Sequence, residues 1–194
     1  MTDSAEKWDA RYRAGDGRPA PPAQVLSENR HLLPDSGRAL DLACGLGGNA
    51  LLLAEAGLET AAWDISAVAL EKLSAEARAR SLSVTTCCCD LSATALPRAQ
   101  FDVIVVSRFL ERALSGPICQ ALTPGGVLFY QTFTREKTTS AGPSDPRFLL
   151  GANELLRLFA GLRVLAFRDE GRQGDVSTGL RNESWIVAKK EELQ

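Results

Sequence analysis

From Arg38 to the end of the chain, short apolar runs with strand character alternate with stretches of helical period, and this alternation restricts the fold to βαβ units around a mainly parallel sheet. The predicted strands are Ala39–Leu42, Glu59–Trp63, Ser83–Cys88, Phe101–Val106, Gly126–Phe133, Arg163–Phe167 and Ser184–Ala188. Helix formers follow the first strand from Asn49 to Ala56, and Ser66 is a suitable N-cap for a helix running to about Arg80. Further helices are predicted near Gly116–Leu122 and over Ala152–Phe159. Phe101–Val106 is almost continuously apolar, as expected of a central strand buried on both faces. The polar segment between the last two strands has no helical pattern, which predicts an antiparallel pair at that sheet edge.

Ahead of the sheet, a helix carries Trp8, Arg11 and Tyr12, Gly15–Pro22 breaks the pattern, and Gln24–Leu33 is predicted as a second short helix ending before Pro34. The expected organisation is one domain over residues 1–194, with a helical cap (1–35) and a Rossmann-like core (36–194). A hydrophobic content of 45% is enough for a real core. The 22 Lys and Arg residues are dispersed and the net charge is −2, which gives no nucleic-acid footprint. No apolar run is long enough to cross a bilayer and no signal-peptide core opens the chain, so the expected location is cytoplasmic, with no membrane partner. The odd count of five cysteines, three of them adjacent at Cys87–Cys89, suits neither a disulfide framework nor spaced zinc ligands. They read as reduced thiols packed as small hydrophobes, with no metal site expected.

At the end of the first strand stands Leu40-Asp41-Leu42-Ala43-Cys44-Gly45-Leu46-Gly47-Gly48-Asn49, an apolar strand passing through a glycine-rich turn into a helix. Such a turn lets backbone approach a ligand closely, although glycines also mark ordinary strand-to-helix connections. Three acids, Asp41, Asp64 and Asp90, fall at or just beyond the C-terminal ends of successive predicted strands. In an open parallel sheet those ends line one crevice. There Asp64 can accept hydrogen bonds from two ribose hydroxyls, and Asp90 from an adenine amino group. Asp41 can hold the glycine turn or reach a ligand's ammonium group. A dinucleotide-binding oxidoreductase also fits Gly45-x-Gly47-x-x-Ala50 followed by Asp64, but no Tyr-x-x-x-Lys pair or placed histidine follows the fourth strand. A cofactor-binding module without catalysis is the other alternative.

Asp41-Leu42-Ala43-Cys44-Gly45-Leu46-Gly47, Asp64, Cys89-Asp90-Leu91 and Leu122-Thr123-Pro124-Gly125-Gly126 together resemble class I S-adenosylmethionine-dependent methyltransferases. Trp8-Asp9-x-Arg11-Tyr12, Ser107–Arg112 and Phe129–Phe133 resemble the tellurite-resistance-type branch, whose members act on small molecules. The resemblance implies a three-layer α/β/α sandwich with a seven-stranded sheet in the order 3-2-1-4-5-7-6, strand seven antiparallel. It implies cofactor contacts from Tyr12, Asp41, Ala43, Cys44, Gly45, Gly47, Asn49, Asp64, Ile65, Asp90, Leu91 and Ser107, with Tyr12 closing over the methyl-donor end. Ala43 stands where the family often has glycine.

The acceptor expected from these features is a small molecule with a soft or anionic nucleophile, and the assembly a monomer or homodimer. Arg108 and Arg112, four apart, would share a face on a helix and hold an anionic group, with Arg135 approaching from a long connection at 135–148 that is either a lid or a solvated loop. Tyr12, Phe109, Tyr130 and Phe133 are candidates for the pocket wall, Phe109 and Phe133 equally for the core. His31, the one histidine, lies on a peripheral helix. Arg168, Arg172 and Arg181 accompany the last strands without the histidine associated with tellurite chemistry, so tellurite itself is not the expected acceptor.

Overall fold

The computed structural model, which describes residues 3–192, pairs seven strands in the order β3-β2-β1-β4-β5-β7-β6. The strands are β1 (Arg38–Leu42), β2 (Glu59–Asp64), β3 (Val84–Cys88), β4 (Phe101–Ser107), β5 (Leu122–Phe133), β6 (Arg163–Arg168) and β7 (Glu183–Lys189). β7 runs antiparallel to both β5 and β6, as the helix-free final connection requires. The helices are α1 (Asp3–Ala14), α2 (Gln24–Glu28), α3 (Gly48–Glu55), α4 (Ala67–Ala79), α5 (Ser115–Ala121) and α6 (Glu154–Leu158). This is the expected sheet and strand order of a Rossmann-like α/β/α sandwich. It departs from a dinucleotide-binding sheet in the antiparallel β7 between β5 and β6.

Period-2 alternation divides the central strands between two cores. Leu40, Leu42, Ile104, Val106, Leu128, Tyr130 and Ile186 pack on the α5–α6 side. Ala39, Val103, Val105, Val127, Phe129 and Val187 pack on the side of α2 and α3. β4 is buried on both faces, which is why its sequence is almost unbroken apolar. Burying a side chain such as the inaccessible Phe129 contributes about 2 to 3 kcal/mol. At the other end of the sheet, a surface depression of about 510 Å³ is lined by Gly37, Arg38, Glu59, Asp102 and Thr123. Its one buried-side acid is already engaged: Asp102 accepts from Arg38 N at 2.8 Å and from Thr123 Oγ1 at 2.8 Å, so the depression is not a counterpart of the crevice above the strand ends.

Three expectations are corrected here. The Gln24–Leu33 helix is interrupted, giving α2 and a separate 3-10 turn at Arg30–Leu32, because the Asn29 side chain donates to Val25 O at 2.9 Å and ends the first segment. β5 begins at Leu122 and carries the Pro-Gly-Gly turn inside its first residues, where the register against β4 shifts. The cysteine triplet is not buried: Cys88 is exposed and Cys87 and Cys89 are half-buried, since β3 is the outermost strand on its side of the sheet. All five thiols are free. Among the described residues no helix is long and apolar enough to cross a membrane.

Candidate cofactor and acceptor site

The glycine turn joins β1 to α3 through a run of left-handed backbone, with φ of 57° at Ala43, 53° at Gly45 and 77° at Gly47. At Gly47 a Cβ would collide with Leu73, and at Gly45 it would lie 2.6 Å from Tyr12 Oη. These two positions therefore demand glycine on both conformational and steric grounds. Ala43 adopts the same region with a side chain, at a cost of roughly 1 to 2 kcal/mol that a glycine would avoid. The turn is tied to the neighbouring strand by Cys44 N, which donates to Trp63 O at 3.1 Å.

Behind the turn, Asp41 is wholly buried. Its Oδ2 accepts from Ala50 N at 3.0 Å and its Oδ1 from Asn49 Nδ2 at 3.3 Å. Asn49 also donates to Ser107 Oγ at 3.0 Å and accepts from Ala23 N at 2.8 Å. Asp41, Asn49 and Ser107 thus face one another and brace the start of α3, the end of β4 and the N-terminal segment. Of the two roles open to Asp41, the geometry favours holding the turn. Burial pushes its carboxyl up to about 7, against hydrogen bonds that favour the charge.

Asp64, at the C-terminal end of β2, is 6% exposed. Its Oδ2 accepts from Gly45 N at 2.7 Å and its Oδ1 from Ser66 N at 2.8 Å, so backbone donors fix both oxygens and each keeps acceptor capacity. Burial raises its carboxyl above the ordinary range. Tyr12 stands over this corner, and its phenol is pushed up to about 12 by burial and by the charge of Asp64, so it is a neutral donor at physiological pH. A fixed carboxylate beside a glycine cradle and under a neutral phenol suits a ribose diol and its neighbouring atoms. Further out, Asp90 is half-buried and spends Oδ1 on Ser92 N at 2.9 Å and Ser92 Oγ at 2.7 Å; the Ser92 hydroxyl holds it below the usual carboxylate range. Leu91 is buried among the core residues beneath the sheet, and Ile65 is partly exposed beside Asp64.

At the end of β4, Arg108 takes a left-handed φ of 53° and its N–H donates to Gln131 O at 2.8 Å. Its Nε donates to Glu183 Oε1 at 3.2 Å, while the side chain stays 57% exposed. Glu183 also accepts from Gln131 Nε2, and Gln131 Oε1 accepts from Val25 N at 2.7 Å. One buried polar chain therefore joins α2, β5 and β7 to the exposed guanidinium. Sequence reading gave Gln131 and Glu183 no role; the signal was two polar residues within otherwise apolar strand ends.

Other expectations fail on geometry. Residues 108–111 form no helix, so Arg108 and Arg112 share no helical face. Arg112 pairs with Glu154 through Nε at 2.6 Å and Nη2 at 3.1 Å, and donates to Arg147 O at 2.6 Å and Leu149 O at 3.0 Å. Its donors are spent on clamping the 147–154 segment, which removes it as an acceptor-positioning group. Tyr130 is core: it is 2% exposed, packs on Phe159 and donates to Phe109 O at 2.9 Å. Phe109 is half-buried, and Phe133 packs against Gly142. Arg135 is exposed near Glu154, whose acidity it increases, and His31 is exposed on its 3-10 turn. The 135–148 connection is hydrogen-bonded to the β6–β7 connection, with Thr138 N and Thr139 N donating to Asn182 Oδ1 at 2.8 and 3.0 Å.

Residues 39–126 match a family model described as a methyltransferase domain. Comparison with proteins of curated function gives no match. Among solved structures, TehB from Haemophilus influenzae is similar over 95% of this chain and 67% of its own, with TM-score 0.69 and 21% identity. A protein studied for the conversion of a disulfide bond into a thioacetal group during echinomycin biosynthesis is similar over 98% of this chain and 93% of its own, with TM-score 0.71 and 22% identity. An S-adenosylmethionine-dependent methyltransferase from Mesorhizobium loti is similar over 87% of this chain and 98% of its own, with TM-score 0.65 and 19% identity. At these identities the structural likeness is one of fold. The match to a methyltransferase domain over residues 39–126 and the shared sheet topology show that this chain has the fold of class I methyltransferases.

Proposed function

We propose that this chain is an S-adenosylmethionine-dependent methyltransferase acting on a small molecule with a soft or anionic nucleophile, of the thiol or chalcogen-oxyanion class, in the cytoplasm, with residues 1–35 capping a core of residues 36–194. The methyltransferase-domain match over residues 39–126 and the fold support the donor half of this reading. The observation that carries the acceptor reading is the exposed Arg108 guanidinium, held at the end of β4 by Glu183 with only Nε paired among the described residues. S-adenosylmethionine supplies a methyl group on a cationic sulfur, already activated for in-line displacement. The chain's task is then alignment and exclusion of water. Asp64 and the Gly45 backbone would hold the ribose side, with Tyr12 covering it. Arg108 would draw an anionic acceptor to the opposite end. A nucleophile that arrives deprotonated needs no general base. In keeping with that, the carboxylate beside Arg108, that of Glu183, is already paired with it.

The cofactor is tested by thermal unfolding in S-adenosylmethionine, S-adenosylhomocysteine and NAD(P). Binding to the folded chain raises Tm, and at a ligand concentration a hundred times Kd the stabilisation is about 2.7 kcal/mol. A rise with the first two and none with NAD(P) is expected; a response to NAD(P) alone overturns the reading. For the acceptor, Arg108→Ala is expected to raise KM for thiosalicylate by about tenfold or more, the equivalent of one charged hydrogen bond, with S-adenosylmethionine affinity unchanged by calorimetry. Lost cofactor affinity with an unchanged KM would move Arg108 out of the acceptor end.

A further inference from the structure

We propose that Asp9 is a positioning residue for the cofactor, fastening α1 to the start of α4 and so setting Tyr12 over the glycine turn. The inference rests on the S-adenosylmethionine site described above. Among the described side chains of α1 only Ala5 and Asp9 are fully buried, while Trp8 and Tyr12 are half-buried. Asp9 is 5% exposed, and its Oδ1 accepts from Ser66 Oγ at 2.6 Å and from Val68 N at 3.3 Å. Those donors belong to the first turn of α4, where backbone N–H groups lack helical partners and negative charge is favoured. Arg13, one turn along α1, lies 3.5 Å from Oδ2.

The contact continues into the site. Ser66, which caps α4, gives its backbone N–H to Asp64 Oδ1, and Asp64 Oδ2 takes the N–H of Gly45. Tyr12, on the same helix as Asp9, returns to Gly45 with its hydroxyl 2.6 Å from where a Cβ would stand. Lys72 of α4 closes the arrangement by donating to Tyr12 O, and Trp8 stacks on the Tyr12 ring at 5.8 Å. Asp9, Ser66, Asp64, Gly45 and Tyr12 therefore form a ring in which α1 is held by one acid on the far side of the ribose corner. Removing that acid leaves the Lys72 hydrogen bond and the half-buried Trp8 and Tyr12 rings as the remaining anchors of the helix.

The test combines hydrogen exchange over residues 3–14 with calorimetric S-adenosylmethionine affinity in full-length wild type, Asp9→Ala, Asp9→Asn, Tyr12→Ala and the Asp9→Ala/Tyr12→Ala double variant. In Asp9→Ala, α1 protection is expected to fall while the β1 and β4 amides stay protected, and cofactor affinity to drop by about tenfold. Asp9→Asn, which keeps an acceptor oxygen for Ser66 and Val68, should recover part of both. In the Tyr12→Ala background Asp9→Ala should cost little more, because the two act as one unit. Unchanged α1 protection, unchanged affinity, or additive losses in the double variant would each overturn the proposal. Wild-type protein with no S-adenosylmethionine affinity would overturn the cofactor reading and the proposal together, whereas wild-type affinity that Asp9→Ala leaves intact overturns the proposal alone.

Discussion

Asp64→Ala is expected to weaken S-adenosylmethionine binding by about 2 to 4 kcal/mol, roughly 30- to 1,000-fold in Kd. Two losses combine. The proposed hydrogen bonds to the ribose hydroxyls disappear, each with a charged partner and each offset in part by water. The variant also orphans Gly45 N–H and Ser66 N–H, which donate to the carboxylate at 2.7 and 2.8 Å, so the turn and the start of α4 lose a common anchor. Asp64→Asn separates the two: its one carbonyl can serve Gly45 or Ser66, but its amide NH₂ then faces the other donor. Its affinity should fall between wild type and alanine. Isothermal calorimetry measures this, with unfolding curves confirming that each variant is folded. An Asp64→Ala protein that binds within about twofold of wild type would remove Asp64 from the cofactor site.

The parts of the molecule legible in the sequence are those set by local pattern. Strand positions, the antiparallel final pair and the Ser66 cap follow from period, polarity and connection type, and the structure keeps them to within a residue or so except at β5, which starts four residues earlier at Leu122. Tyr130, assigned to the pocket wall, is a missed reading whose signal was present: it lies two residues from Leu128 along β5, and period-2 alternation puts both on the same buried face. What sequence spacing could not show was pairing at a distance. Asp9 meets Ser66 across 57 positions, Arg112 meets Glu154 across 42 and Arg108 meets Glu183 across 75. The i, i+4 rule that grouped Arg108 with Arg112 applies only on a helix, and the left-handed residue at 108 prevents one. Asn49, Asp41 and Ser107 stand where cofactor contacts were expected, yet their polar atoms satisfy one another and the backbone. The same strand ends must hold both a ligand and their own architecture, and which side chain does which depends on contacts that only the folded chain brings together.

Unfolding free energy should fall as pH rises from about 4 to about 7, with the larger part of the fall removed in Asp41→Asn. In the folded chain burial holds the Asp41 carboxyl near about 7, against 3.8 as the ordinary value. Between those values the folded state retains a proton that the unfolded state has released, so the unfolded state binds fewer protons and stability declines with pH. Above about 7 both forms are ionised and the contribution is level. The whole window corresponds to roughly 4 kcal/mol as an upper bound. Asp64, also raised by burial, acts in the same direction, so the variant's profile is flatter without being flat. The acids held below their ordinary range, Asp9 by Ser66 and Glu154 by Arg112, act oppositely: their stabilisation is present above the unfolded value and is lost as pH falls through the folded one. That loss lies on the acid side of the Asp41 window and is common to both proteins. Asn at position 41 still offers an oxygen to Ala50 N but turns its NH₂ toward that of Asn49, which lowers stability by about 1 to 3 kcal/mol at every pH. The informative quantity is therefore the slope and not the level. Urea unfolding at pH 5, 6, 7 and 8 gives it, and parallel profiles for wild type and Asp41→Asn would show that Asp41 keeps its charge when folded.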